Sequence, residues 1–179
     1  MAFQPTREQL EQAVSVICKV IGQIPCFHIY EEYIARRFGN DEAERALKAM
    51  MHNAVLDSAL LNLRCLNEFF KPNGRQDDIR AYHFPGLSMQ PFLISPDDEQ
   101  AIHKHLAHLT ATRSNTTAKP WGLDQMTIFG LQHGIQFLSF IEDKFPMHTE
   151  AAYAELRGVR EAANCSIQKV VKRHAIQDA

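Results

Sequence analysis

The chain has 179 residues, 45% of them hydrophobic and 22% charged, with a formal net charge of −2. That length suits one domain, residues 1–179, able to bury a core without metal or disulfide staples, and the balance excludes intrinsic disorder. So small a net charge also excludes a uniformly basic nucleic-acid-binding face, leaving room only for a local basic patch.

In chain order, Thr6 reads as an N-cap with Gln9 three residues on, a capping box. Leu10, Val14, Ile17, Ile21 and Ile24 then recur at helical spacing, and Pro25 ends that first helix. A short second helix is expected from about Phe27 to Phe38, with Gly39 as its C′ residue. Asn40 is placed to cap a long third helix, with Asp41 and Glu42 in its first turn, running to Phe70. Residues 71–95 contain Pro, Gly and paired aspartates without a sustained period, and they form the one long connection; such connections are often functional.

Ser95-Pro96-Asp97-Asp98 starts a fourth helix, with Ile102, Leu106 and Leu109 on one face and an end near Thr112. A polar loop over 113–121 follows. The fifth helix, about Leu123 to Lys144, confines Gln125, Gln132, Gln136, Ser139 and Asp143 to one stripe, and Gly130 and Gly134 admit a close neighbour. Its wide apolar surface is a candidate for cover by a second subunit, so a homo-oligomer is expected. After Pro146, Thr149 caps the last helix, whose inner face is Leu156, Val159, Ala163, Ile167 and Val170. The sum is an all-α, up-and-down bundle of five or six helices.

The four cysteines (Cys18, Cys26, Cys65, Cys165) form no Cys-x-x-Cys pair, which implies reduced thiols and a cytoplasmic setting. Neither a signal peptide nor an apolar stretch of membrane-spanning length is apparent, so no membrane association is expected.

On a helical wheel of residues 47–70, Asn53, Asp57, Arg64 and Glu68 fall within about 60° of one another, and most of the remaining circumference is apolar. Such a seam is either a thin solvent strip with an Arg64–Glu68 pair, or an inward seam in which Arg64 meets Asp77 or Asp78 of the long loop. In the fourth helix, His105 and His108 lie one turn apart. A metal would need a third ligand such as His52, His83 or His133, and no second paired motif is visible, so neither metal nor cofactor is expected. Nucleophile-elbow, phosphate-loop and His-Glu-x-x-His patterns are absent from the sequence.

The run Leu61-Asn62-Leu63-Arg64-Cys65-Leu66-Asn67-Glu68-Phe69-Phe70 precedes Asp77-Asp78-Ile79-Arg80-Ala81. After these come His103-Lys104-His105-Leu106-Ala107-His108-Leu109-Thr110-Ala111-Thr112-Arg113 and Lys119-Pro120-Trp121. This order, over about residues 50–125, resembles a family of prokaryotic helical proteins allied to the HEPN superfamily. The superfamily's members are helical, often dimeric, and include metal-independent ribonucleases of toxin and defence systems. The resemblance implies a polar site of Arg64, Asp77, Asp78, His108 and Arg113, with Thr110 as a hydrogen-bonding companion. His108 would be the acid or base, and Arg64 or Arg113 the holder of phosphate from an RNA or nucleotide. The superfamily's Arg-to-His ribonuclease spacing is met only by Arg45 and His52, outside that set, at about the frequency that composition gives by chance. The competing expectation is a non-enzymatic interaction module, a helical homodimer in which the same residues tie loop to bundle. A metal-dependent bundle hydrolase stands third.

Overall fold

The computed structural model describes residues 3–39, 41–75, 77–89, 94–107, 122–147 and 149–177. Six α-helices lie among them: α1 (Arg7–Gln23), α2 (Cys26–Arg37), α3 (Glu42–Phe70), α4 (Pro96–Ala107), α5 (Leu123–Lys144) and α6 (Glu150–Gln177), with a 3₁₀ turn at Ala81–His83. The described residues contain no strand, and the fold is an all-α bundle.

Local chemistry sets most helix ends. At α1 the Gln9 N–H donates to Thr6 Oγ1 and the Thr6 N–H to Gln9 Oε1, the expected capping box. At α3 the cap is Asp41, whose carboxylate accepts from the Glu44 N–H at 2.9 Å; Asn40, expected in that role, lies outside the described residues. The correction follows from charge, since a carboxylate at the N-terminus also meets the helix dipole. Phe38 leaves α2 in an extended conformation, and Gly39 has no positive φ, so that helix ends without a left-handed glycine. Ser95 and Thr149 cap α4 and α6 as expected.

The core is built from matching faces. Leu10, Val14, Ile17, Ile21 and Ile24 are all buried, as are Leu156, Ala163 and Val170 of α6, while Val159 and Ile167 pack at its edge. Helix α1 packs against α3, α5 and α6, and α5 packs most extensively on α6. At Gly134 α5 passes close to α1: a Cβ there would fall 2.8 Å from Ile21 Cγ1. Leu131, Phe137, Leu138 and Ile141 of α5 are fully buried within the chain, so the bundle itself covers most of the surface expected to need a second subunit, with Phe129 left 45% exposed.

The long connection also enters the core. Ala81, Phe84 and Ile94 are buried, and Phe84 joins an edge-to-face cluster with Phe69, Phe137 and Phe145 at centroid distances of 5.2–6.1 Å. Phe84 thereby ties the described part of the connection to the core.

Two features depart from the sequence reading. Arg7–Ile34 is long and apolar enough to cross a membrane by length and composition, although no single apolar run suggested it. Its apolar residues are largely spent on the core, and the turn at Ile24–Pro25 divides it between α1 and α2. The second departure concerns α3, about 43 Å long at 1.5 Å per residue. Its buried residues begin only at Ala59. The first half, 42–58, holds no buried side chain, although Val55 and Leu56 pack against the core, and with α2, which packs chiefly on α3, it makes a two-helix arm.

Candidate functional site

The residues that converge are at the C-terminal end of α3. That end has no Schellman glycine: Lys71 turns extended before Pro72, leaving the last carbonyls of the helix in want of donors. Arg80, 3% exposed, supplies them. Its Nη1 donates to the Glu68 carbonyl at 2.7 Å and the Lys71 carbonyl at 3.3 Å, and its Nη2 to Asp78 Oδ2 at 2.7 Å, with Glu68 Oε2 at 3.6 Å. A guanidinium at this position meets the negative end of the α3 dipole and closes a loop of the chain over it.

Further charges complete the cluster. Lys71 Nζ donates to Glu68 Oε1 at 2.9 Å and also to Glu99 Oε1, which ties the end of α3 to the first turn of α4. Asp78 additionally accepts the Arg75 N–H at 2.9 Å. The Arg80 hydrogen bond first, then that main-chain donor, hold the Asp78 carboxyl below its ordinary 3.8. Burial alone would raise Glu68, but the hydrogen bond and charge of Lys71, with the charge of Arg80, carry it below 4.5. Burial would likewise lower Lys71, and its two carboxylate partners raise it instead. Gly74 lies against the guanidinium so closely that a Cβ there would overlap Arg80.

One turn on, the Arg80 N–H donates to His83 Nδ1 at 3.0 Å, which fixes the neutral ring with its proton on Nε2. Burial, then the Arg80 charge, push the His83 imidazole below 6.5. Its ring lies beside Tyr82 and edge-on to Phe3. A small cleft of about 130 Å³, lined by Phe70, Pro72, Ala81, Tyr82, Leu87 and Met89, opens next to the cluster. Asn67, fully buried, accepts the Ile94 N–H at 3.3 Å and so fastens the far end of the loop.

The expected site residues are distributed as follows. Asp78 belongs to the cluster, and Asp77 beside it is exposed. Arg64 is half-buried on α3 and takes neither expected partner, since Glu68 goes to Lys71 and Arg80, and Asp78 to Arg80. The expected Arg64–Asp cluster is thus corrected to an Arg80–Asp78 cluster. The reason is proximity: an arginine two residues from the acid reaches both it and the open helix end, while Arg64 sits almost two turns back. His108, Thr110 and Arg113 lie outside the described residues. Arg80 was present in the sequence signal as the basic residue following the paired aspartates; the helix end lacking a glycine cap is what calls for it.

The histidines considered as third metal ligands are dispersed. His52 packs on Phe27, His133 Nδ1 lies 3.0 Å from the Phe129 carbonyl, and His83 is bound to Arg80. Among the described residues, no group of three His, Cys, Asp or Glu side chains is placed to hold a metal. Arg45 is exposed. Chemically, the cluster pairs two cations, Arg80 and Lys71, with three carboxylates, Glu68, Asp78 and Glu99, and ties the loop to the end of α3. No family model, characterised protein or solved structure matches the chain.

Proposed function

We propose that the chain is a non-enzymatic helical interaction module of the cytoplasm, in which the polar cluster serves the fold and the binding surface is the arm of α2 and the first half of α3. The observation that carries this reading is the distribution of burial along α3. Residues 42–58 contain no buried side chain, while Ile29 (53% exposed), Tyr33 (53%) and Met50 (64%) present large apolar groups to solvent on the same two-helix unit. Val16, Leu61, Tyr82, Phe129 and Val171 are exposed singly elsewhere, whereas Ile29, Tyr30, Tyr33, Leu47 and Met50 are concentrated on this unit, and such a concentration of exposed apolar side chains marks a surface that meets another macromolecule. The resemblance to HEPN-allied proteins fits this reading, since their members are helical and often dimeric. The ribonuclease alternative rests on His108 and Arg113, outside the described residues, and on Arg64, which stands apart from the cluster.

The test is incubation of the chain with single-stranded RNA in the presence and absence of a chelator. The expected result is intact RNA in both. Cleavage that persists with chelator and is lost in His108→Ala would replace this proposal with the metal-independent ribonuclease; cleavage lost with chelator would replace it with a metal-dependent hydrolase.

A further inference from the structure

Helix α2 divides its surface sharply. At 100° per residue, Arg36, Ile29, Tyr33, Arg37 and Tyr30 follow one another around about 120° of it, and all five are exposed. Ile29, Tyr30 and Tyr33 are 47–53% exposed, while Phe27 and Ile34 on the other side are buried. Glu32, the one acid bordering this strip, is engaged: Arg173 of α6 donates to its Oε1 at 3.2 Å, and Arg36 lies 3.8 Å from its Oε2. The Arg173 contact sets the last turns of α6 beside α2. Lys169 and Lys172 are exposed there, and with Arg37 they have no ion-pair partner among the described residues. Residues 29–37 and 165–173 together hold five Lys/Arg against two Glu, an excess of three positive charges on a chain of net charge −2. The start of α3 adds Asp41, Glu42 and Glu44 against Arg45 and Lys48, so an excess of two remains over the whole end of the arm.

We propose that this ridge lies on an anionic lipid surface as a peripheral contact; the proposal rests on the reading of the arm as a binding surface and names what it binds. The residue types and their placement favour a bilayer over a protein. A convex strip offers no groove to receive a partner's side chains, whereas the headgroup layer of a bilayer yields to it. Ile29 suits the boundary between headgroups and acyl chains. The Tyr30 and Tyr33 rings suit the headgroup level, with their hydroxyls in water. Arginine and lysine stems extend from such a surface to the lipid phosphates. Arg36 and Arg37 stand within the apolar strip, and Lys169 and Lys172 belong to the neighbouring helix, so apolar insertion and charge attraction act in the same orientation. Each is weak alone, and the two together make a reversible attachment. No segment has to cross the membrane: Ile17, Ile21, Ile24 and Ile34 of the long apolar stretch Arg7–Ile34 are spent on packing within the chain. A peripheral contact therefore needs neither the signal peptide nor the apolar run that the sequence lacks.

The experiment is co-sedimentation of the full chain with vesicles of phosphatidylcholine and phosphatidylserine, about three to one, and with vesicles of phosphatidylcholine alone. The expected result is binding to the anionic vesicles at least about tenfold tighter than to the neutral ones, weakening as salt is raised. Arg37→Glu and Lys172→Glu, each checked for native helicity by circular dichroism, should each weaken it at least about tenfold. Ile29→Ser should weaken it while leaving its salt dependence as it was. Lys144→Glu, the same change of charge at the far end of α5, should leave it unchanged. A chain that stays in solution with both vesicles, equal binding to the two, or equal weakening by Lys144→Glu overturns the proposal. So does a chain that ignores the vesicles but is retained on immobilised poly-glutamate, which would assign the strip to an acidic protein. A second measurement does not depend on the charged variants folding. A polarity-sensitive fluorophore on Tyr33→Cys, in a chain with the exposed Cys65 and Cys165 replaced by Ser, should shift to the blue on the anionic vesicles. The same probe on Leu61→Cys, in the part of α3 beyond the arm, should not, and equal shifts at the two positions overturn the proposal. Failure here is separable from failure of the interaction reading, which falls only to RNA cleavage.

Discussion

Arg80→Ala removes the donors for two helix-end carbonyls and the anchor of the loop that delivers Phe84 to the core. The expected loss is about 2–4 kcal/mol, in the range found when a buried charged hydrogen-bonding group is deleted. Arg64→Ala, at a half-buried position outside that network, should change stability by less than about 1 kcal/mol. Urea denaturation of both variants checks the order. Gly74→Ala should itself be destabilising, because the new methyl meets a pinned guanidinium, and it should become nearly neutral when combined with Arg80→Ala. Additive effects of the two would place Arg80 elsewhere.

The same residues set the acid sensitivity. As pH falls through about 6.5, His83 gains a proton in the unfolded chain but not yet in the folded one, where its pKa is depressed, so stability declines in that interval. Asp78 and Glu68 are also depressed when folded; their contribution is complete above about pH 4.5 and is lost as the pH falls through their lower folded values. His83→Asn, which keeps an acceptor for the Arg80 N–H, should flatten the upper limb between pH 7 and 5.5 and leave the lower one. An unchanged upper limb in urea midpoints would assign it to another histidine. At this scale the sequence showed an acidic loop needing an arginine. It concealed which one, because a wheel of α3 cannot register that the loop brings its own.

Helical glycines give the sharpest contrast between elements. Gly134→Ala drives a methyl into fully buried Ile21 where α5 crosses α1, and should cost about 1–3 kcal/mol. Gly158→Ala on α6 meets nothing within 4 Å and should stabilise by about 0.5–1 kcal/mol, the helix-propensity difference. Thermal unfolding of the two variants should shift in opposite directions. Thiol labelling separates elements in the same way. Cys18, buried in α1 with its pKa pushed up to about 12 by burial and then by Glu155, should resist modification in the folded chain, while exposed Cys165 reacts at once. Elements were the most legible level. Helical spacing marked the inner face of α1, where burial runs from Leu10 to Ile24, and that of α6, where buried Leu156, Ala163 and Val170 alternate with half-buried Val159 and Ile167. It failed on α3, where Leu47 and Leu63 share the apolar character of the wheel but only Leu63 is buried; periodicity reports which way a residue points and is silent on whether a neighbour is there.

Among the described residues, the molecule joins a well-filled bundle to an arm that they leave half-covered. The wide apolar surface of α5 suggested a second subunit from sequence alone, and most of that surface is buried internally, Phe129 excepted; the larger group of exposed apolar side chains lies on α2 and the first half of α3, whose individual residues read as ordinary amphipathic helix. If an anionic bilayer covers the arm, the arm's stability depends on the vesicles present while that of the bundle does not. Amide hydrogen exchange, followed with and without anionic vesicles, separates the two halves of a single helix. Residues 42–58, with 26–37 beside them, should gain protection when the vesicles are added, while 59–70 stay equally protected in both. Protection of the arm that is indifferent to the vesicles would contradict an arm covered by a bilayer.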